Sequence, residues 1–287
     1  MQKSKILITG AGGQLGKSFA AIAQRYSDFE FVFRTRADLS LDNPVELETV
    51  FNSVRPQFCI NCAAYTAVDK AESERARAFQ VNAQGVANLA KCSALGNTKL
   101  IHISTDYVFN GLSETPYAES DPVNPINVYG ESKAEGEVLA VENNAEVIII
   151  RTAWVFSEHG SNFVKTMIRL MNERTQLNVV SDQIGSPTYA TDLAAAVMTI
   201  IGSRKWLPGI YHYSNEGKIS WYDFALAIKT FTSSECVITP IATAAYPTPA
   251  KRPAYSLLNT EKIRKSYEVN IPNWKHSLAV CIDRLAR

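Results

Sequence analysis

The sequence predicts an α/β protein: a doubly wound parallel sheet with helices on both faces, followed by a smaller C-terminal α/β cap. Three observations lead there. Strand-sized apolar runs alternate with helix-length stretches through the first half of the chain. A glycine-rich turn, Gly10-Ala-Gly-Gly13-Gln-Leu-Gly16, lies between the first strand and the first helix. Beyond about residue 153 the rhythm loosens, and prolines gather at 240, 247, 249 and 253.

Lys5–Thr9 is a short apolar strand, and Leu15–Tyr26 has the apolar spacing of a helix. Phe29–Phe33 reads as a second strand, followed by a helix over Val45–Val54 with Pro44 at its entry. Phe58–Asn61 is a third strand and Ala71–Ala94 a long helix rich in Ala, Glu and Arg. Leu100–Ser104 and Val147–Arg151 are the fourth and fifth strands, with a helix over Val128–Glu142 between them. Runs rich in Ile, Val and Phe fit strands buried on both faces. Further on, Asn162–Glu173, Thr191–Ser203 and Trp221–Thr230 have helical patterns, and Leu177–Val180 and Ile210–Tyr213 strand patterns. Residues 1–155 therefore read as a dinucleotide-binding domain to which part of 175–205 returns, and 156–287 as mainly a substrate-binding domain.

Composition is that of an ordinary globular protein, 46% hydrophobic and 20% charged. A formal net charge of +1 without a basic cluster gives no reason to expect nucleic acid. No apolar run approaches the roughly 20 residues of a membrane span, and the chain enters its first strand without a secretory leader. Five cysteines, an odd number without framework spacing, fit a reducing cytoplasm. Cys59 and Cys62 form a C-x-x-C, but residues three apart on a strand point to opposite faces, so they read as buried hydrophobes and no metal site is expected.

The glycine turn suits a dinucleotide. One glycine makes the tight turn, another lets the main chain approach a pyrophosphate, and the third lets helix and strand pack closely; the helix N-terminus offers N–H groups to the phosphates. Together with a strand before and a helix after, this is a Rossmann-like arrangement. A rival reading takes Ala11 to Gly16-Lys17-Ser18 as a near match to the nucleoside triphosphatase loop, with Ala11 where glycine is expected. At the end of the second strand, where an acid often holds the adenosine ribose, stands Arg34-Thr35-Arg36. An arginine here suits a 2′-phosphate, so NADPH is favoured with NADH left open; solvated surface arginines are the alternative. Asp38 and Leu39 are candidates to cover the adenine.

Tyr129-Gly-Glu-Ser-Lys133 places a phenol and an ammonium on one face of a helix. A carbonyl that receives hydride must also receive a proton, and a phenol, with a reference pKa of about 10, is a poor acid until a neighbouring cation stabilises the phenolate. Ser104-Thr105-Asp106 ends the fourth strand, and a hydroxyl there can steady the reacting oxygen.

These residues resemble the short-chain dehydrogenase/reductase superfamily in its extended branch, and within it the dTDP-4-dehydrorhamnose reductase family. The resemblance is carried by Ile8-Thr-Gly-Ala-Gly-Gly-Gln-Leu-Gly16, Asn61-Cys-Ala-Ala-Tyr-Thr-Ala-Val-Asp-Lys-Ala-Glu72, Ile103-Ser-Thr-Asp-Tyr-Val-Phe109, Pro125-Ile-Asn-Val-Tyr-Gly130, Arg151-Thr-Ala-Trp-Val155, Asn162-Phe-Val-Lys-Thr-Met167, Asp182-Gln-Ile-Gly-Ser-Pro-Thr188, and Arg252-Pro253 with Ser256. It implies reduction of the C4 keto group of a dTDP-linked 4-keto-6-deoxysugar, dTDP-4-dehydro-L-rhamnose, in the synthesis of bacterial surface polysaccharide. By the same resemblance Tyr129 donates the proton, Lys133 lowers its pKa and binds the nicotinamide ribose, and Thr105 holds the reacting oxygen. Gly10, Gly13, Gln14, Leu15 and Gly16 contact the pyrophosphate, and Ala63, Ala64 and Tyr65 line the nicotinamide half. Val68, Asp106, Tyr107 and Trp154 face the sugar, with Arg252 a candidate for the sugar nucleotide. Duller readings stand beside these: Val68 and Trp154 as core, Tyr107 as a lid on the sheet, Asp106 as a backbone acceptor, and Asn162 as a helix N-cap rather than a ligand. Glutamates that bind magnesium between subunits in some members have no match here, so dimerisation through a metal is not expected; the chain is expected to be a monomer or a homodimer. Another nucleotide-sugar reductase or epimerase, or a non-catalytic regulatory subunit, are the competing functions.

Overall fold

The computed structural model describes residues 3–286. Strand β1 (Ser4–Thr9) leads through the glycine turn into α1 (Gln14–Ile22), then β2 (Phe29–Arg34), α2 (Pro44–Val54) and β3 (Phe58–Asn61). Three short helical segments follow, α3 (Val68–Ala71), α4 (Arg75–Phe79) and, past a π-helical turn at Gln80–Gln84, α5 (Gly85–Leu95). Next come β4 (Lys99–Thr105), α6 (Val128–Asn143), β5 (Ile148–Thr152) and β6 (Val155–Phe156), and then α7 (Phe163–Glu173), β7 (Gln176–Val180), β8 (Ile184–Gly185) and β9 (Thr188–Tyr189). The chain ends with α8 (Ala190–Gly202), β10 (Gly209–Tyr213), β11 (Ile219–Ser220), α9 (Trp221–Phe231), β12 (Val237–Ile241), α10 (Glu261–Tyr267) and α11 (Trp274–Ala286).

Six strands form one parallel sheet in the order β10-β5-β4-β3-β1-β2. Side chains alternate between its faces. Ile6, Ile8, Ile60 and Ile101 pack with α1, α8 and α10 on one face; Leu7, Cys59, Leu100 and Ile149 pack with α2, α5 and α6 on the other. Cys59 and Cys62 thus meet opposite faces, and both thiols are free. The order reverses where β1 lies between β2 and β3, the switch point at whose carboxyl edge ligands gather in such sheets. A second core around Phe156, Phe224 and Trp274 gathers α7, α9 and α11 with the two-stranded β7–β12 sheet. The segment that returns to the main sheet runs from α8 to β10, so of the 175–205 stretch α8 packs on that sheet while β7 belongs to the cap.

The helix expected over Ala71–Ala94 is interrupted. Asn82, fully buried in the π turn, accepts from Tyr65 N–H (2.8 Å) and donates to Tyr65 O (3.0 Å) and Ser132 Oγ (3.0 Å). The widened turn turns this amide towards the loop after β3, a demand that local helix propensity does not report. β12 and the two C-terminal helices also went unassigned in the sequence. Pro240 is accommodated because β12 is an edge strand with β7 as its one partner. Among the described residues no helix is long and apolar enough to cross a membrane.

Candidate active site

A cleft of about 860 Å³ runs along the carboxyl edge of the sheet, from the glycine turn to the cap. Its size is that of a cofactor site. At one end are Gly10, Gly13, Gln14 and Leu15. Gly10 has φ +65°, and a Cβ there would stand 2.5 Å from Ala63 N, so the turn after β1 nests against the loop after β3 only as glycine. Gly13 precedes α1 without a side-chain cap, which leaves the helix N-terminus free to receive an anion. Gly16 does not line the cleft; it packs against Ala11 behind the turn. The rival triphosphatase reading loses its magnesium ligand, because Ser18 is buried and donates to Gln14 O (3.0 Å).

Gln14 turns its side chain to the cap. Its Oε1 accepts from Ser157 Oγ (2.9 Å) and Asn162 Nδ2 (2.8 Å), and its Nε2 donates to Val155 O (3.4 Å). Asn162 is the N-cap of α7, accepting from Lys165 N–H (3.2 Å), and it also reaches the cleft wall. At the adenosine end Leu39 lines the cleft, whereas Arg34 and Asp38 do not. Arg34 folds back onto Phe33 O (3.2 Å), and Asp38 closes a turn by accepting from Thr35 N–H (2.9 Å) and Thr35 Oγ1 (2.6 Å). The cationic groups there are Arg36 and Arg77, the latter paired with Asp42 (2.5 Å). Nothing in the sequence distinguished Arg36 from Arg34, and Arg77 arrives through the interrupted helix.

Ala63, Ala64, Tyr65 and Val68 form one wall; Thr105, Asp106, Tyr107, Tyr129, Lys133 and Trp154 form the floor and the opposite wall. α6 reaches this floor because Asn127 caps it, accepting from Gly130 N–H (2.8 Å), and because Gly130 lies where a Cβ would be 2.2 Å from Tyr107 O. The rings of Tyr107 and Tyr129 meet edge to face at 5.6 Å. Thr105 accepts from Tyr107 N–H (3.2 Å) and donates to Asp106 Oδ1 (3.0 Å), and its hydroxyl stands beside the Tyr129 phenol. Burial raises Tyr129 to about 12, opposed by the Thr105 hydrogen bond. Burial lowers Lys133 to about 8, opposed by the Glu137 carboxylate. The Lys133 ammonium rests on Ile103 O (2.7 Å), one turn from the phenol it is expected to assist.

Asp106 is raised by burial to about 6, against the hydroxyls of Ser256 and Thr105, and among the described residues its Oδ2 has no partner of good geometry. Trp154 has φ +48°, costly for a large side chain, and stacks on Trp221 at 3.7 Å. Arg252 lies outside the cleft lining, held by Asp69 through two contacts of 2.5 and 2.8 Å.

A glycine turn at the first strand, a strand-end hydroxyl and a helical Tyr-Lys pair on one cleft define a nicotinamide-dependent reductase of the extended short-chain class. Residues 4–287 match the sequence profile of the RmlD substrate binding domain. A dTDP-4-dehydrorhamnose reductase of Aggregatibacter actinomycetemcomitans is 42% identical over 96% of this chain and 97% of its own. The crystal structure of a dTDP-4-dehydrorhamnose reductase from Clostridium acetobutylicum superposes with a TM-score of 0.95 at 40% identity, covering 99% of this chain and 100% of that one. One from Bacillus anthracis, solved in complex with NADP, gives 0.93 at 38% identity with the same coverage. The chain belongs to the dTDP-4-dehydrorhamnose reductase family.

Proposed function

We propose that the chain reduces the C4 keto group of dTDP-4-dehydro-L-rhamnose to give dTDP-L-rhamnose, with NADPH or NADH as reductant. The observation that carries this is the meeting of Thr105, Tyr129 and Lys133 on the floor of a cleft whose far end is the glycine turn. The N-terminus of α1 would hold the pyrophosphate, Lys133 a ribose, and Arg36 with Arg77 the adenosine phosphate. When bound, the nicotinamide supplies hydride to the carbonyl carbon.

The chain's own work is proton transfer and orientation. The Tyr129 phenol gives its proton to the substrate oxygen, and the Thr105 hydroxyl, turning its one proton from Asp106 Oδ1, donates to that oxygen and holds it in line. Burial makes the phenol reluctant to ionise; the Lys133 ammonium, one turn along α6, would favour the phenolate and hold the ribose. Trp154, Val68 and Asp106 would face the sugar. Residues 1–155 with 190–213 act as the cofactor unit and the rest as the substrate unit, and the five free thiols suit a cytoplasmic enzyme.

Incubation with dTDP-4-dehydro-L-rhamnose and NADPH tests this, followed at the nicotinamide absorbance. Stoichiometric cofactor oxidation with formation of dTDP-L-rhamnose is expected. Epimerised product without net cofactor consumption would replace the reductase with an epimerase, and no turnover with either cofactor would point to a binding subunit.

A further inference from the structure

We infer that His102, a buried imidazole beneath the cleft, presents Nε2–H to Lys133 and so disfavours the ammonium relative to the amine, making it a positioning residue for the proton-transfer pair. The residue touches neither the cleft nor the glycine turn. In the parallel sheet Thr9 lies opposite Asn61, and Asn61 opposite His102, so the three form one row on the face that α6 covers. All three are buried.

The tautomer follows from the fixed donor at one end of this row. Ala63 N–H donates to Asn61 Oδ1 (3.1 Å), and Thr9 Oγ1 donates to the same oxygen (2.7 Å). The amide NH₂ of Asn61 therefore faces His102 Nδ1 at 3.0 Å. An NH₂ only donates, so Nδ1 must accept and the ring proton must sit on Nε2. Nε2 is 3.4 Å from Lys133 Nζ. An ammonium has donors alone and would oppose Nε2–H; an amine has a lone pair that accepts it. Ile103 O, 2.7 Å from Nζ, can accept a hydrogen bond from either form.

Glu137, one turn on along α6, favours the ammonium, but Arg151 (2.6 Å) and Ser104 (2.5 Å) already engage it. Asp106, at the end of β4, raises the neighbouring Tyr129 phenol, which shares α6 with Lys133. His102 is the ring facing Nζ from β4. Burial, and next the Lys133 charge, hold this imidazole well below its ordinary pKa, so it stays neutral and keeps one ring proton.

The catalytic consequence rests on the role proposed for Lys133; the tautomer does not. If reduction needs the ammonium, kcat/KM falls as pH rises through the Lys133 pKa of the free enzyme, about 8. Replacing the opposing N–H with an apolar group, His102→Leu, keeps the site dry and should move that limb up by about one pH unit.

Nitrogen-15 NMR of histidine in the wild-type chain provides a test that needs no variant. His212 Nδ1 lies 3.0 Å from Tyr117 O and must carry its proton there, so two neutral buried imidazoles of opposite tautomer are expected. Finding Nδ1–H on both overturns the inference, as does an unmoved Lys133 Nζ titration in folded His102→Leu. A shifted Nζ titration with an unmoved kcat/KM limb upholds the His102 assignment and removes the catalytic role of Lys133. If His102→Leu does not fold, the wild-type tautomer decides.

Discussion

Asn82→Ala should loosen the nicotinamide wall of the cleft from behind. Asn82 is 0% exposed, and its amide ties both the N–H and the carbonyl of Tyr65 to the π turn, with a third bond to Ser132. Leaving a buried donor or acceptor unpaired costs ~1–3 kcal/mol. Tyr65 is half-buried and would regain some water contacts, so a loss of about 3 kcal/mol is expected for the whole site. At about 2.1 cal/mol/K per residue, unfolding of 287 residues carries roughly 0.6 kcal/mol/K, which places the fall in Tm near 5 °C. The released loop includes Ala63 and Ala64, so NADPH affinity should fall by about tenfold in the folded variant. Differential scanning calorimetry and fluorescence titration of NADPH read the two effects. A variant with unchanged Tm and unchanged cofactor affinity would refute the idea that the π turn exists to hold this loop.

Tyr129→Phe should lower turnover by ~10²–10⁴-fold while NADPH binding, measured by calorimetry, is retained; a rate near that of wild type removes the phenol as proton donor. Arg36→Ala should weaken NADPH by about tenfold and leave NADH unchanged, read as the ratio of the two kcat/KM values. Equal losses for both cofactors would place Arg36 off the 2′-phosphate. Trp221→Ala removes the 3.7 Å stack that supports Trp154 in its left-handed backbone conformation, so KM for the nucleotide sugar should rise about fivefold with no change in NADPH affinity.

Where the signal is local, sequence and structure agree closely. β3 spans Phe58–Asn61 as read from the apolar run, and α2 begins at Pro44 where the N1 proline predicts. Within the site, the Tyr129–Lys133 spacing and the glycine turn require no distant partner to be recognised, because one helical turn and one tight turn are sequence-local geometries. Residues two apart share one side of an extended strand, so spacing does not separate Arg34 from Arg36; the turn after β2 does, leaving Arg34 on Phe33 O and Arg36 in the cleft lining. Arg252 is adjacent to Tyr107 electrostatically yet is drawn out of the cleft lining by Asp69, 183 residues away in the chain.

The alternation of strands and helices from β1 to β5, the anion-ready turn after β1 and the acid–cation pair on α6 were determined by the sequence by itself, since each depends on residues within a few positions of one another. Only the tertiary structure decided that Gln14 fastens the cofactor turn to the cap, that Asn82 opens a π turn to hold Tyr65, and that His102 stands behind Lys133. The physical reason is that a buried polar group takes whichever partner the packing of strands and helices sets beside it, and that choice has no period along the chain.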